Sequence, residues 1–201
     1  MIDAPKTAKG RETRERIVSS AAGLIRDRGV AETSLDDVID EAGVSKSQLY
    51  HYFSDREDLL RAVVAHNCEH VLANQGPELG PFDSWKAIRA WLDKLVLLQA
   101  QGQARGGCPL GSLVGQLAES DDQAREELEA SFGRWETEIR EGLSAMQARG
   151  KISRRADLDE LATATLAAIE GGLILTQARR DTKPLAVALD SAYAHLRAHA
   201  A

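Results

Sequence analysis

Residues 42–53 of the chain read Ala-Gly-Val-Ser-Lys-Ser-Gln-Leu-Tyr-His-Tyr-Phe. Gly43 permits a tight reversal after one helix, and Ser45 is a good N-cap for the next. That next helix is predicted over residues 46–52, about two turns, which is short enough to lie in the major groove of DNA. Helix, glycine turn and capped helix together are typical of a helix-turn-helix.

The predicted second helix of this motif has two different faces. Leu49 and Phe53 are four residues apart and are expected to face the core. The outward positions carry hydrogen-bond donors and acceptors: Lys46, Ser47, Gln48 and His51. The preceding helix is predicted over residues 35–42, with Thr33 or Ser34 as its N-cap.

The rest of the 201-residue chain also has helical periodicity, and no alternating strand pattern lasts more than a few residues. A hydrophobic content of 43% and a charged content of 28% are ordinary for a globular protein. The sequence predicts an all-α fold. Nine helices are expected, at about residues 9–28, 35–42, 46–52, 55–74, 84–104, from Pro109, from near Asp121 to Gly150, 157–180, and from Pro184. Breaks rich in glycine and proline separate them at residues 76–81 and 106–109.

The charge of the chain gives two different indications. The net charge of −6 argues weakly against binding to nucleic acid. Residues 6–16, however, carry five basic residues and two acidic ones. A local basic stripe matters more for DNA than the total charge.

Three segments carry a resemblance to a known family: residues 33–39 (TSLDDVI), 42–53 (AGVSKSQLYHYF) and 55–60 (DREDLL). Through these segments, residues 11–60 resemble the DNA-binding domain of the TetR family of transcriptional regulators. The resemblance implies a nine-helix TetR-like architecture. A three-helix helix-turn-helix domain would occupy residues 1–55, and a helical ligand-binding and dimerisation domain residues 56–201.

The resemblance also implies which residues meet DNA. Thr33 and Tyr50 match positions that contact phosphates, and Arg56 stands where the family usually has a phosphate-binding lysine. Gln48 replaces a residue that is usually smaller, and glutamine can read adenine. The expected DNA-binding set is Thr33, Ser34, Ser45, Lys46, Ser47, Gln48, Tyr50, His51 and Arg56. Two alternatives stay open: Tyr50 as a packed aromatic residue, and His51 as a solvated surface residue.

Small residues in the eighth predicted helix indicate a close helix contact. Gly171 and Gly172 are adjacent, and glycine inside a helix costs about 1 kcal/mol relative to alanine. In the TetR family the last two helices of each subunit form a four-helix dimer interface, although a contact within one chain would explain the glycines too. The expected dimer residues are Ala164, Ala168, Gly171, Gly172, Leu175, Leu189, Tyr193 and Leu196. A dimer would place two recognition helices about 34–36 Å apart, the spacing that reads a palindrome.

A ligand pocket is expected among the fourth to eighth helices. Its candidate residues are His66, Trp91, Leu95, Phe132, Trp135, Met146 and Glu170. Aromatic residues and methionine at helical spacing are more often core than ligand-binding. Glu170 interrupts an apolar run, so a polar ligand group or a residue across the dimer would explain it.

Cysteine and histidine chemistry gives one hypothesis and one exclusion. Cys108 precedes Pro109 at a predicted helix start, where the helix dipole lowers the pKa of a thiol, so a reactive sensor is one interpretation and a buried or capping cysteine the other. His66 and His70 share a helix face, but Cys68 lies two residues from each of them, about 200° around the helix, so the three cannot converge. The sequence therefore predicts no metal site and no cofactor.

The predicted location is cytoplasmic. Met1–Gly10 contains no apolar signal segment. The weakly charged run between Glu160 and Arg179 is interrupted by Glu170, which favours a buried helix over a membrane span. No membrane partner is expected.

These patterns predict a homodimeric transcriptional repressor that binds a palindromic operator in double-stranded DNA and is released by a small-molecule ligand. A transcriptional activator of the same fold, and a repressor that senses oxidants or electrophiles through Cys108, are the alternatives. The sequence has no nucleophile elbow, glycine-rich phosphate loop or His-Glu-x-x-His motif, so no enzyme activity is expected.

Overall fold

The computed structural model describes residues 5–75 and 83–201, except for the side chains of residues 74 and 75. Within these residues the chain forms nine α-helices and no strand, which confirms the all-α prediction. The helices are α1 (Ala8–Arg28), α2 (Leu35–Ala42), α3 (Lys46–Tyr52), α4 (Arg56–Gln75), α5 (Trp85–Gln101), α6 (Gly111–Leu117), α7 (Asp122–Ala148), α8 (Leu158–Arg179) and α9 (Lys183–Ala198).

The helix ends show where local sequence signals were sufficient. The bounds of α2 and α3 are those predicted. By contrast, α5 ends at Gln101, because Gln103 and Ala104 take left-handed backbone angles with φ of 54°. Helix α6 begins at Gly111 and not at Pro109. The predicted break at residues 76–81 lies outside the described residues, except that α4 already ends at Gln75.

The chain divides into two compact units that differ in extent from the expected domains. The first contains residues 1–71 and 112–131, and the second contains residues 72–111 and 132–201. The first unit is therefore larger than residues 1–55, since it includes most of α4, nearly all of α6 and the start of α7.

The core of the first unit is built on the apolar face of α1. Ile17 and Ala21 are fully buried there, four residues apart as one helix face requires. From α3 and the residue after it, Leu49 is fully buried and Phe53 is 1% exposed. The predicted inward face of α3 is confirmed, which leaves the opposite face of this helix free.

In the second unit α8 and α9 pack tightly against each other. A Cβ atom on Gly172 would lie 3.1 Å from the Cα atom of Leu185 and 3.2 Å from the Cβ atom of Ala188. Thr182, the residue before α9, makes no side-chain cap. The backbone N–H of Leu185 instead donates to the hydroxyl of Thr176 on α8, at 3.1 Å. One backbone N–H in the first turn of α9 thus finds its hydrogen-bond acceptor on α8.

Among the described residues one helix, α8, is long and apolar enough to cross a membrane by length and composition. One side of α8 is covered by protein instead. Leu161, Ile169 and Leu173 are buried, and the buried hydroxyl of Thr165 donates to the carbonyl of Leu161 at 2.7 Å. This arrangement is that of a core helix, as predicted.

Candidate nucleic-acid interface

The turn between α2 and α3 depends on the backbone of one glycine. Gly43 has φ of 61° and ψ of 42°, in the left-handed region, and no atom lies within 4 Å of the place where a Cβ would be. The backbone conformation therefore selects glycine here, since there is space for a side chain. Val44 follows at 8% exposure and packs into the junction of the two helices.

Reciprocal capping boxes close the N-termini of both helices. Before α2, the hydroxyl of Ser34 accepts from the N–H of Asp37 at 3.1 Å, and the Asp37 carboxylate accepts from the N–H of Ser34 at 2.9 Å. The side-chain and backbone hydrogen bonds from Ser34 lower the pKa of Asp37, with a smaller contribution from Arg28. Before α3, Ser45 and Gln48 make the same pair of bonds, at 3.2 and 2.9 Å. The start of each helix is fixed by its own sequence.

The polar face of α3 is open to solvent. Tyr50 is 44% exposed, so it is not a packed aromatic residue in this structure. The imidazole of His51 lies edge-on to Tyr52, with ring centroids 4.9 Å apart. The exposed residues of this face and its cap are Ser45, Lys46, Ser47, Gln48, Tyr50 and His51. These are six of the nine residues that the sequence assigned to DNA.

The basic stripe of α1 also serves the structure of the first unit. Arg16 donates to the carbonyl of Ala42, the last residue of α2, at 2.9 Å. The guanidinium of Arg14 lies 5.1 Å from the ring centroid of Phe53. Two arginines of the stripe thus contact residues at the end of α2 and directly after α3. The sequence pattern showed their charge but not these partners.

The other three residues assigned to DNA differ in whether their side chains are free to contact it. Ser34 is exposed. Thr33 is only 5% exposed, and its hydroxyl donates to the carbonyl of Gly29 at 2.8 Å. A guanidinium nitrogen of Arg56 donates to the carbonyls of Val30 at 2.5 Å and Thr33 at 3.3 Å. The phosphate contacts that the resemblance implies for Thr33 and Arg56 stay predictions, and neither side chain is free in this conformation.

Six of the seven expected ligand residues lie in the second unit. Trp91, Trp135 and Met146 are at most 2% exposed, whereas Leu95, Phe132 and Glu170 are half-buried. His66 belongs to the first unit instead, where its Nδ1 atom lies 2.9 Å from a carboxylate oxygen of Glu15. Its grouping with the others rested on helix-face reasoning, which cannot detect such a pairing.

Several buried polar atoms of the second unit make no hydrogen bond to the described residues. Among them are the indole nitrogen of Trp135 and one carboxyl oxygen of Glu170. Buried polar groups are nearly always satisfied, so each of these atoms has unused capacity for a water molecule or a ligand. Neither could be identified from the sequence, because helix periodicity shows which face is buried but not which atoms find partners.

The buried Cys108 and the half-buried Glu170 interact in the second unit. Burial, followed by the nearby Glu170 carboxylate, raises the pKa of the Cys108 thiol well above its usual value. Burial also raises the pKa of Glu170, and a hydrogen bond with Cys108 partly opposes that change. The interpretation of Cys108 as a sensor assumed a lowered thiol pKa, because it placed this residue at a helix start. Helix α6 begins three residues later, and desolvation is the larger effect.

No group of three or more metal-binding side chains comes together in the described parts of the chain. Cys68 is buried at 1% exposure, while the rings of His66 and His70 stack with centroids 6.3 Å apart.

The expected dimer residues divide into inner and outer groups. Gly172, Leu189 and Leu196 are buried within the subunit, so their assignment to a surface between subunits needs correction. Ala168 and Tyr193 are half-buried, and Ala164, Gly171 and Leu175 are exposed. Small residues at four-residue spacing indicated a close approach, and at Gly172 that approach is to α9 of the same chain.

Comparison with known proteins supports the same architecture. Residues 17–63 match the family model described as bacterial regulatory proteins of the tetR family. Residues 84–191 match the C-terminal domain of LmrA/YxaF-like transcriptional regulators. The chain belongs to the TetR family of transcriptional regulators. The assignment rests on both halves of the chain, whereas the sequence motifs covered only the first.

Relatives of this TetR-family chain extend over most of its length. An HTH-type transcriptional regulator of Mycobacterium tuberculosis is 35% identical over 183 residues, which cover 86% of this chain and 88% of the relative. One from Lactococcus lactis is 30% identical over 87% of this chain and 88% of its own length. A crystal structure of a TetR regulator from Chloroflexus aurantiacus has a TM-score of 0.82 and 27% identity, and covers 96% of this chain and 98% of that one.

The function of the TetR-family chain follows in outline from these relatives and from the site. It is a DNA-binding transcriptional regulator of the helix-turn-helix type. Its family consists of regulators and not of enzymes. The solvent-exposed polar face of α3 is the part of the described structure that fits this role.

Proposed function

We propose that the protein is a homodimeric, cytoplasmic repressor that binds a palindromic operator and is released by a small-molecule ligand. One observation carries the DNA-binding part of the proposal: a capped, seven-residue helix, α3, presents an uninterrupted polar face at its N-terminal end. Recognition helices contact base edges with their N-terminal residues. Lys46, Ser47 and Gln48 are assigned to base edges, and Ser34, Ser45, Tyr50 and His51 to flanking contacts.

A second copy of the chain is the proposed partner of the outer face of α8 and α9. Ile174 is 60% exposed, Leu175 is 46% exposed and Val187 is 57% exposed. Gly171 lies one turn before Ile174 and Leu175, is exposed, and has no atom within 4 Å of a Cβ position. Contiguous exposed apolar residues next to an open glycine fit an isologous helix-to-helix contact.

The ligand is proposed to bind in the second unit and to use Glu170 and Trp135. Their unpaired polar atoms supply one carboxyl oxygen and one indole N–H, and the expected ligand residues Trp91 and Met146 are buried apolar side chains of the same unit. Such a combination of apolar lining and a few polar groups is typical of small-molecule sites. Ligand and DNA would then oppose each other reciprocally, because each favours a different state of the same protein.

Selection of bound sequences from a random duplex library tests the DNA-binding part. We expect enrichment of a palindrome whose half-sites are one helical turn apart or a multiple of it. A reporter placed behind the selected operator then separates repression from activation by the sign of its response. Failure of the folded wild-type protein to enrich any sequence would overturn the proposal.

The dimer has its own test. The double variant Ile174→Asp and Leu175→Asp should sediment as a folded monomer and lose operator affinity by at least about tenfold, since one half-site contact is lost. Leu97→Asp is the matched control, because Leu97 is 56% exposed but lies on α5. A variant that stays dimeric would contradict the assigned face.

A further inference from the structure

The turn between α1 and α2 is held at both backbone polar groups of Val30, its N–H and its carbonyl. The side-chain oxygen of Gln116, on α6, accepts from the backbone N–H of Val30 at 2.7 Å. Arg56 lies at the start of α4, and one of its guanidinium nitrogens donates to the carbonyl of Val30 at 2.5 Å. Through Val30, the turn that follows α1 is thus bonded to side chains from α4 and α6. We refer to Arg56, Val30 and Gln116 as the Val30 clamp.

Neighbouring groups fix the geometry of the Val30 clamp. The amide nitrogen of Gln116 donates to the carbonyl of Ser112 at 2.8 Å, which sets the orientation of the amide. Gly29 has φ of 89°, and a Cβ at that position would lie 3.1 Å from the side-chain oxygen of Gln116. A side chain at Gly29 would therefore be strained by its backbone and would crowd this contact.

The hydrogen bonds of the Val30 clamp lie at the edge of the unit, although Val30 itself is only 6% exposed. A cleft of about 420 Å³ lies beside it, lined in part by Val30, Arg56 and Gln116. Gln116 is itself exposed. Hydrogen bonds that border open space can exchange with water at low cost, so the clamp can open without unfolding the unit.

We propose that Gln116 and Arg56 are positioning residues for DNA binding, which hold the turn that leads into the helix-turn-helix. Helix α2 begins at Leu35, two residues after Thr33, whose carbonyl also accepts from Arg56. The clamp therefore holds the turn in front of α2 and, through α2 and the Gly43 turn, the position of α3. Arg56 acts through the turn carbonyls and not through a DNA phosphate. The proposal rests on the proposed DNA-binding function.

Regulation follows from the elements that supply the clamp. Arg56 begins α4 and Gln116 lies near the end of α6, and both helices have residues in the second unit. Both side chains of the clamp are therefore supplied by helices that extend beyond the first unit. Ligand-induced release is therefore expected to include the loss of the bond between Gln116 and Val30.

Salt dependence separates a positioning residue from a phosphate contact. Each phosphate contact that is lost lowers the slope of log affinity against log salt concentration by about 1. Gln116→Leu should weaken operator binding by about fivefold, the value of one neutral hydrogen bond, at an unchanged slope. Arg56→Ala should weaken it at an unchanged slope as well. A slope reduced by about 1 in Arg56→Ala would overturn the assignment of Arg56.

A conservative variant and a control complete the test. Gln116→Glu keeps an oxygen that accepts from Val30, so it should retain binding within about twofold of the wild type at matched salt. Gln123→Ala, an exposed glutamine on α7, should have no effect. Hydrogen exchange of the Val30 amide should be faster in Gln116→Leu than in Gln116→Glu. Equal exchange and equal affinity in these two variants would overturn the proposal for Gln116.

The two proposals fail in different ways. If the wild-type protein selects no operator, the DNA-binding function fails and the clamp has no readout on DNA, while Val30 exchange still reports whether Gln116 holds the turn. If the wild type binds its operator and Gln116→Leu binds it equally, only the clamp fails. Combining Arg56→Ala with Gln116→Leu should weaken binding by less than the product of the single effects, because both residues act on the backbone of Val30.

Discussion

The side-chain oxygen of Gln48 accepts a hydrogen bond from the backbone N–H of Ser45 at 2.9 Å, while the hydroxyl of Ser45 accepts from the N–H of Gln48 at 3.2 Å. The residue proposed to read a base therefore also closes the end of the recognition helix. Bidentate recognition of adenine uses both the oxygen and the nitrogen of a glutamine amide. Gln48 must release Ser45 to make that contact, so helix capping and base recognition compete for one atom.

Gln48→Glu should separate the two roles of this residue. Glutamate is also a good capping-box partner, so the melting temperature should stay close to that of the wild type. A carboxylate accepts from cytosine, so the preferred base should change at one position of each half-site. Sequence selection with both proteins checks this. An unchanged preference would mean that Gln48 does not read a base.

Ser45→Ala should destabilise the protein by about 0.5–2 kcal/mol, because it removes the hydroxyl that caps α3. Chemical denaturation measures this free energy of unfolding. Ser47→Ala is the matched control, since Ser47 is exposed on the same helix and is not an N-cap. Equal losses in the two variants would contradict the capping role of Ser45.

Glu170→Gln should stabilise the protein in a pH-dependent manner. Burial raises the pKa of Glu170 above that of a solvent-exposed glutamate, so the folded protein holds this proton at pH values where the unfolded chain has lost it. In the wild type, Glu170 therefore lowers the free energy of unfolding once the pH rises above the pKa that this side chain has in the unfolded chain. Glutamine has no such proton. The variant should be more stable than the wild type at about pH 8, and the difference should shrink towards about pH 4.

Glu160→Gln is the control for that pH profile, because Glu160 is exposed near the start of the same helix. Melting temperatures across the pH range provide the measurement. A stability difference at Glu170 that stays constant with pH would show that its proton is not involved.

Gly172→Ala should destabilise the α8–α9 pair by about 1–3 kcal/mol, the usual cost of overpacking, because the new methyl group would meet the backbone of Leu185. Gly133→Ala on α7 should instead stabilise the protein by up to about 1 kcal/mol, since no atom lies within 4 Å of its Cβ position. Denaturation of both variants at one protein concentration checks the opposite signs. Similar effects from the two would contradict the tight packing at Gly172.

Cys108 should resist a thiol reagent in the native protein. It is 6% exposed, and its raised pKa keeps the thiol protonated, whereas thiolate is the reactive form. Labelling with and without denaturant, followed by peptide mass analysis, checks this expectation. Cys68, which is 1% exposed, should behave in the same way. Rapid native labelling of Cys108 would revive the interpretation of this residue as a sensor.

Local signals in the sequence predicted the helix-turn-helix well. Gly43 ends α2 and Ser45 starts α3, and each acts within a few residues along the chain. Helix α6 was placed less well. A proline indicated its start, whereas Pro109 remains in a turn before Gly111.

Contacts between distant residues could not be predicted in this way. Gly172 was expected to mark a close approach, but spacing alone does not say whether the partner is in the same chain. The bond between Gln116 and Val30 joins residues 86 positions apart and follows from no motif. The exposure of Glu170 likewise could not be predicted, because it depends on which helices pack around this side chain.

The tethered arginines of α1 have a consequence for how the regulator would search a chromosome. Arg16 is directed to the carbonyl of Ala42, Arg14 lies over Phe53, and the whole chain carries a net charge of −6. Non-specific affinity for DNA depends on the number of cations that neutralise phosphates. Such a protein would be held weakly by the vast excess of competing genomic sites, so a larger share of its copies would be free to occupy the operator. A cell could then control the target genes with few molecules.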